Sequence, residues 1–99
     1  MNHSVVLLDA ARADLAAAVD WYHDCQPGLE TDFLLCLEET IDRVARHPLA
    51  YALVHDEFRK AMIHRFPFAI IYRVARGQIY IAAILHTSRE PRVWQARSH

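Results

Sequence analysis

Glycine and proline, the residues that break regular structure, are scarce in this 99-residue chain, which holds two of the first and four of the second. With so few points for sharp turns and 54% hydrophobic residues, the chain excludes a disordered or low-complexity class and predicts a compact, mostly regular fold. Cysteine is equally sparse. Cys25 and Cys36 both fall in segments of helical periodicity, so they are expected to be buried thiols of a reduced compartment, not a disulfide framework. Seven histidines are scattered without a ligand spacing such as His-x-x-x-His, so neither a metal site nor any cofactor is expected. No apolar run is long enough for a membrane span. The opening MNHSVVLL is too short even for a signal peptide, which predicts a cytoplasmic protein with no membrane partner.

Negative charge is missing from the second half. From Phe58 to His99 eight Lys and Arg face Glu90 alone, a balance of +7, whereas eleven acidic residues against Arg12, Arg43 and Arg46 leave −8 from Met1 to Glu57. Such a division suggests that the C-terminal half meets an anionic partner, or that the two halves attract one another. The length suits one domain, residues 1–99, able to bury roughly two-thirds of its unfolded surface around a single core.

The organising stretch is FRKAMIHRFPFAIIYRVARGQIYIAAILHTSR, Phe58 to Arg89. Its runs of Ile, Val, Tyr and Phe are broken at Phe66-Pro67 and Arg76-Gly77, which predicts a three-stranded antiparallel meander. Treating each break as a two-residue loop pairs Arg73 with Tyr80, Tyr72 with Ile81, Ile71 with Ala82 and Phe68 with Leu85 across the second turn. Across the first turn the same rule sets Lys60 opposite Arg73, Met62 opposite Ile71 and His64 opposite Ala69. Alternation then predicts a continuously apolar face of Phe68, Ile70, Tyr72, Val74, Ile79, Ile81, Ala83 and Leu85. The reverse face collects Lys60, Met62, His64, Ala69, Ile71, Arg73, Tyr80, Ala82, Ile84 and His86. There Lys60 beside Arg73 would repel, a penalty that an acidic ligand relieves.

Ahead of the meander, Ser4 to Leu8 predicts an added strand of the same sheet, and Asp9 a helix N-cap. Ala11, Leu15, Ala18, Val19 and Tyr22 recur at helical spacing through Ala10 to Asp24, then Pro27-Gly28 breaks the helix. A second helix is predicted from Leu29 to Arg46, with Phe33, Cys36, Leu37, Thr40, Ile41 and Val44 in one stripe and Glu39-Arg43 and Asp42-Arg46 as supporting pairs. His47-Pro48 ends it, and Leu49 to Glu57 reads as a connector. After Arg89 a short helical turn is expected near Pro91, carrying Trp94. The expected class is α+β: β-α-α-β-β-β, a helical hairpin packed on one face of a small antiparallel sheet, with a short C-terminal helical turn.

That order of elements resembles the ParE/RelE superfamily of toxins from type II toxin-antitoxin modules, which includes plasmid stabilisation proteins. The residues that carry the resemblance are Trp21-Tyr22, Pro27-Gly28, Leu37 and Ile41 before His47-Pro48, Arg65-Phe66-Pro67-Phe68, Ile71-Tyr72-Arg73, and His86-x-x-Arg89-x-Pro91-x-x-Trp94. RelE-like members resemble ribosome-dependent ribonucleases that cleave messenger RNA. Laid along this chain, that pattern keeps its first strand lysine at Lys60 and its C-terminal arginine at Arg89. Its second lysine falls on Met62, its central arginine on Ala69, and its tail tyrosine on or next to Trp94. A cleavage set would therefore reduce to Lys60, Arg73, His86 and Arg89.

The ParE branch, whose members resemble DNA gyrase poisons acting by binding, is the better match. It implies target contact through Arg89, Arg92, Trp94 and Arg97, with no small-molecule substrate. A cognate antitoxin is the implied partner, and Lys60, Met62, Ile71, Arg73, Tyr80 and Ile84 are the residues expected to meet it. Gyrase is the implied target; the ribosome with its messenger, or no target in an inactive remnant, are the alternatives.

Overall fold

Two amphipathic helices each need a surface for their apolar stripe, and one side of a sheet supplies it. The computed structural model describes residues 3–88. The elements are β1 (Ser4–Leu7), α1 (Asp9–Cys25), α2 (Leu29–Arg46), β2 (Leu53–His55), β3 (Phe58–Met62), β4 (Phe68–Ala75) and β5 (Gln78–His86). The strands form one sheet in the order β1-β5-β4-β3-β2.

The predicted helices, hairpin and meander are all present, in an α+β arrangement. Two features correct the expected small antiparallel sheet. β1 runs parallel to β5, so the sheet is mixed, because a strand that leaves into helices and returns over one face arrives in its starting direction. The connector also contains β2, three residues antiparallel to β3. A strand so short, with Leu53 and Val54 both exposed, carries no alternating pattern to read. The C-terminal helical turn expected near Pro91 lies outside the described residues.

In α1, Asp9 is the first helical residue and not the cap; Leu8 holds the cap position without a side-chain bond, and Asp9 instead places its carboxylate in the first turn. Gly28, at φ +99°, supplies the left-handed residue that the two-helix turn requires. Its N–H donates to Glu30 Oε1 at 2.7 Å, and the other oxygen of Glu30 meets His23 Nδ1 at 2.5 Å. α2 shows the Glu39–Arg43 contact at 2.6 Å and a looser Asp42–Arg46 contact at 3.8 Å. Cys36 is buried as expected, whereas Cys25, in the last turn of α1, is exposed.

The core between helices and sheet joins Ala11, Ala18, Tyr22, Phe33, Leu37 and Val44 to Ile70, Tyr72, Ile79 and Ile81. Tyr22 packs against Phe33, Phe66 and Phe68 with ring centroids 5.1, 4.9 and 5.9 Å away, mostly edge-on. Thr40, the polar member of the α2 stripe, is buried with its hydroxyl donating to Cys36 O at 2.9 Å. A buried hydroxyl is tolerable once it has such a partner.

Strand register decides what the other face carries. Arg76 and Gly77 both have positive φ, as a two-residue turn between β4 and β5 requires, and the predicted pairs Arg73–Tyr80 and Tyr72–Ile81 are present. Beyond them a bulge intervenes, and Ile71 pairs with Ala83, Ile70 with Ile84 and Phe68 with His86. Between β3 and β4 the connection is longer than two residues, with Arg65 left-handed, so Lys60 pairs with Ile71 and Met62 with Ala69. That slip of two residues preserves the faces; the bulge does not.

Tyr72 ties the sheet to the loop after α2. Its buried hydroxyl donates to Pro48 O at 2.6 Å, and Arg59 Nη1 donates to Tyr51 O at the same distance. Burial is the main cause that pushes the Tyr72 pKa up to about 12, against a smaller opposing pull from Arg59. A raised phenol pKa means that the folded state holds its proton more tightly than the unfolded chain. The contribution is complete below pH 10 and is lost as pH rises from about 10 toward 12. Denaturant midpoints measured across that window should fall in the native protein, and the fall should be smaller in Tyr72→Phe; equal slopes would refute the assignment.

Candidate functional site

Away from the helices, the pairing sets Phe58, Lys60 and Met62 of β3 beside Ala69, Ile71 and Arg73 of β4, with Tyr80, Ala82, Ala83 and Leu85 on β5. The centre is a second apolar cluster, Phe58, Ile71, Ala82, Ala83 and Leu85, separate from the main core and buried. Around it stand polar and long side chains. Lys60 is exposed, Met62 is 51% exposed, and Arg73 and Tyr80 are half-buried.

Arg73 is held from two sides. Its guanidinium lies 4.8 Å from the Tyr80 ring centroid, and its Nε is 3.9 Å from Glu57 Oε1. Tyr80 is in turn oriented by its hydroxyl, which donates to Gln78 Oε1 at 2.6 Å. Lys60 is diagonal to Arg73, not opposite it, so the predicted head-on repulsion is absent. The face presents two spaced cations and a flexible thioether around an apolar centre, an arrangement suited to gripping a protein segment of mixed apolar and acidic character.

Two expected site residues stand on the other side of the sheet, and a third is buried on the expected one. Ile84, expected on this face, is 1% exposed in the helix-side core, because the bulge consumes one residue and reverses every side chain after it. His86 is reversed with it: its ring lies 5.4 Å from that of Phe68, and its Nδ1 is 2.7 Å from Ser88 Oγ. Ile71 keeps the expected face but is only 3% exposed, so Met62 is the accessible apolar residue among those predicted there. Ala83 and Leu85, predicted for the core, changed sides by the same bulge, and Phe58 was overlooked. The adjacent alanines Ala82-Ala83 were the available signal, since a bulge places two consecutive residues on one side and small ones fit most easily. Arg89, Arg92, Trp94 and Arg97 lie outside the described residues. Among the described residues no group of His, Cys, Asp and Glu is arranged to hold a metal ion, and no helix is long and apolar enough to cross a membrane.

Two helices on a mixed five-stranded sheet, with a cationic and apolar reverse face, define the fold of small toxins of toxin-antitoxin modules. Its solved counterparts include the chromosomal ParDE toxin-antitoxin system from P. aeruginosa, at a TM-score of 0.75 and 23% identity, covering 85% of this chain and 95% of that one. The RelBE2 toxin-antitoxin complex from Mycobacterium tuberculosis aligns at a TM-score of 0.59 and 18% identity, covering 87% of this chain and 99% of that one. The model of the ParE toxin of the type II toxin-antitoxin system parDE matches residues 5–91, and the chain belongs to that family. Comparison with curated protein sequences returned no match. The protein is thus a toxin of a type II module, of the ParE/RelE superfamily.

The two sides of the sheet should respond differently to truncation. Ile84→Ala is expected to cost about 2–5 kcal/mol, as for a buried aliphatic residue, whereas Met62→Ala should stay within about 0.5 kcal/mol. Chemical denaturation of both variants checks this; comparable losses would place Ile84 at the surface after all.

Proposed function

We propose that this toxin acts by binding its target and not by cleaving RNA, that the target is DNA gyrase, and that a cognate antitoxin neutralises it by covering the open face of the sheet. The observation that carries this reading is the separation of His86 from Lys60 and Arg73. Metal-free phosphoryl transfer needs several cations and a proton-transfer group converging on one phosphate. Lys60 and Arg73 share one face, His86 is turned to the other, and Met62 and Ala69 occupy positions where the RelE pattern carries cations. The loss of one positioned catalytic donor commonly costs a factor of about a hundred to a thousand in rate. The family match supports the same branch, since the matching model describes ParE toxins.

Two assays run side by side test the target. Purified toxin should block gyrase supercoiling at near-stoichiometric levels and leave messenger RNA intact on programmed ribosomes. Ribosome-dependent cleavage that disappears in His86→Ala would reverse the assignment, and inertness in both assays would favour an inactive antitoxin-binding remnant.

For the antitoxin, the motivating feature is the ring of Lys60, Arg73, Tyr80 and Met62 around the buried cluster, which favours an acidic segment with apolar anchors. Reversing the half-buried Arg73 with Arg73→Glu should weaken the complex by about 2–5 kcal/mol, the scale for disrupting one side of a desolvated charge contact. Calorimetric titration reads the change, and an unaltered affinity would move the docking surface elsewhere.

A further inference from the structure

Among the described residues no strand pairs with the outer edge of β5 beyond the end of β1. The last link is Leu8 N–H donating to Ile81 O at 3.0 Å, and further along α1 takes over, Asp14 Oδ2 accepting the Ile84 N–H at the same distance. Between α1 and this stretch of β5 a cleft of about 310 Å³ opens, with Phe68 and Ile84 among its lining and His86 at the strand end. Asp14, Ala17, Ala18 and Trp21 line its helix side, at the spacing that puts them in one stripe of a helix. That volume is at the lower end of the roughly 300–1,000 Å³ of small-molecule pockets, room for one long side chain.

Trp21 is unusual among the apolar residues of α1, for it lines the cleft and is yet 63% exposed. Asp24 is exposed one turn further along the same stripe. The helix is acidic throughout, with Asp9, Asp14, Asp20 and Asp24 against Arg12 and His23, and Arg12 is directed to its own end of the helix, its Nε donating to Leu7 O at 3.3 Å. An exposed indole face one turn from the exposed Asp24 attracts a cation, and the methyl groups of Ala17 and Ala18 leave space for an alkyl stem. The exposed Asp20 and Asp24 near this end of α1 thus differ in sign from the cations of the open face of the sheet.

We infer that this cleft is a second docking point on the toxin, at which a lysine or arginine of the antitoxin lays its stem along Ala17 and Ala18 and its charge over Trp21, beside Asp24. The inference rests on the reading of the chain as a toxin held by an antitoxin. It gives that partner a charge pattern: acidic where it crosses Lys60 and Arg73, and basic where it reaches α1.

The test uses the full chain. The indole N–H signal of Trp21 in nitrogen-15 NMR, assigned by its loss in Trp21→Phe, is followed during titration with N-acetyl-argininamide and with the neutral isostere N-acetyl-citrullinamide. A saturable shift with the cation alone, diminished in Asp24→Asn, is expected; equal shifts from both probes, or none, would overturn the cationic assignment. In the antitoxin complex, Trp21→Ala should weaken binding by about two- to fivefold, the scale of an exposed cation–π contact. Unchanged affinity in Trp21→Ala together with a loss in Arg73→Glu would overturn the second docking point and leave the toxin-antitoxin reading standing. Failure of antitoxin to bind the native chain at all would overturn that reading itself.

Discussion

A single extra residue in β5 governs what each side of the sheet can do. Side chains alternate along a strand, so the bulge opposite Ile71 and Tyr72 turns Leu85 outward and Ile84 inward, and carries His86 to the helix side. The main core gains an isoleucine in place of a leucine, and the reverse face gains a buried centre. Any chemistry that required His86 beside Lys60 and Arg73 is separated by the thickness of the sheet. The consequence for function follows from backbone geometry before any side chain is considered.

The charge division of the sequence is expressed spatially. Two contacts that cross the division are loose: Arg65 lies 3.9 Å from Asp32 of α2, and Arg73 lies 3.9 Å from Glu57. Exposed pairs of this kind contribute about 0–1 kcal/mol. The helices thus keep an acidic outer surface while Lys60 and Arg73 stay on the far side of the sheet. Opposite signs on opposite faces mean that a partner wrapping the molecule must change its own charge along its length, which favours one correct threading over its reverse.

How much of this could be read from residues alone depended on the length and regularity of the pattern. The α2 boundaries, Leu29 to Arg46, were legible because eighteen residues carry a sustained apolar stripe that ends at His47-Pro48. The turn at Arg76-Gly77 was legible because both residues take positive φ, which its Gly advertises. β2 was not, since three residues cannot establish a period. The direction of β1 was not either, because a strand's own residues do not encode its neighbour. At the site, Lys60, Met62 and Arg73 were placed on the correct face despite a register wrong by two, since an even slip conserves parity. Ile84 and His86 were misplaced because the bulge slip is odd. The loop at Arg65 and the bulge at Ala82-Ala83 are errors of equal kind and unequal consequence.

A binding mechanism also fits where the molecule holds its cations. A recognition cation gains from being fixed before the partner arrives, because less side-chain entropy is then lost on association. Arg73 is fixed in this way: it is stacked on Tyr80, touched by Glu57 and half-withdrawn from solvent. Lys60, exposed on the neighbouring strand, can steer an acidic segment toward it at longer range. One anchored charge beside one mobile charge, around an apolar centre, gives orientation and capture without demanding any bond to be made or broken.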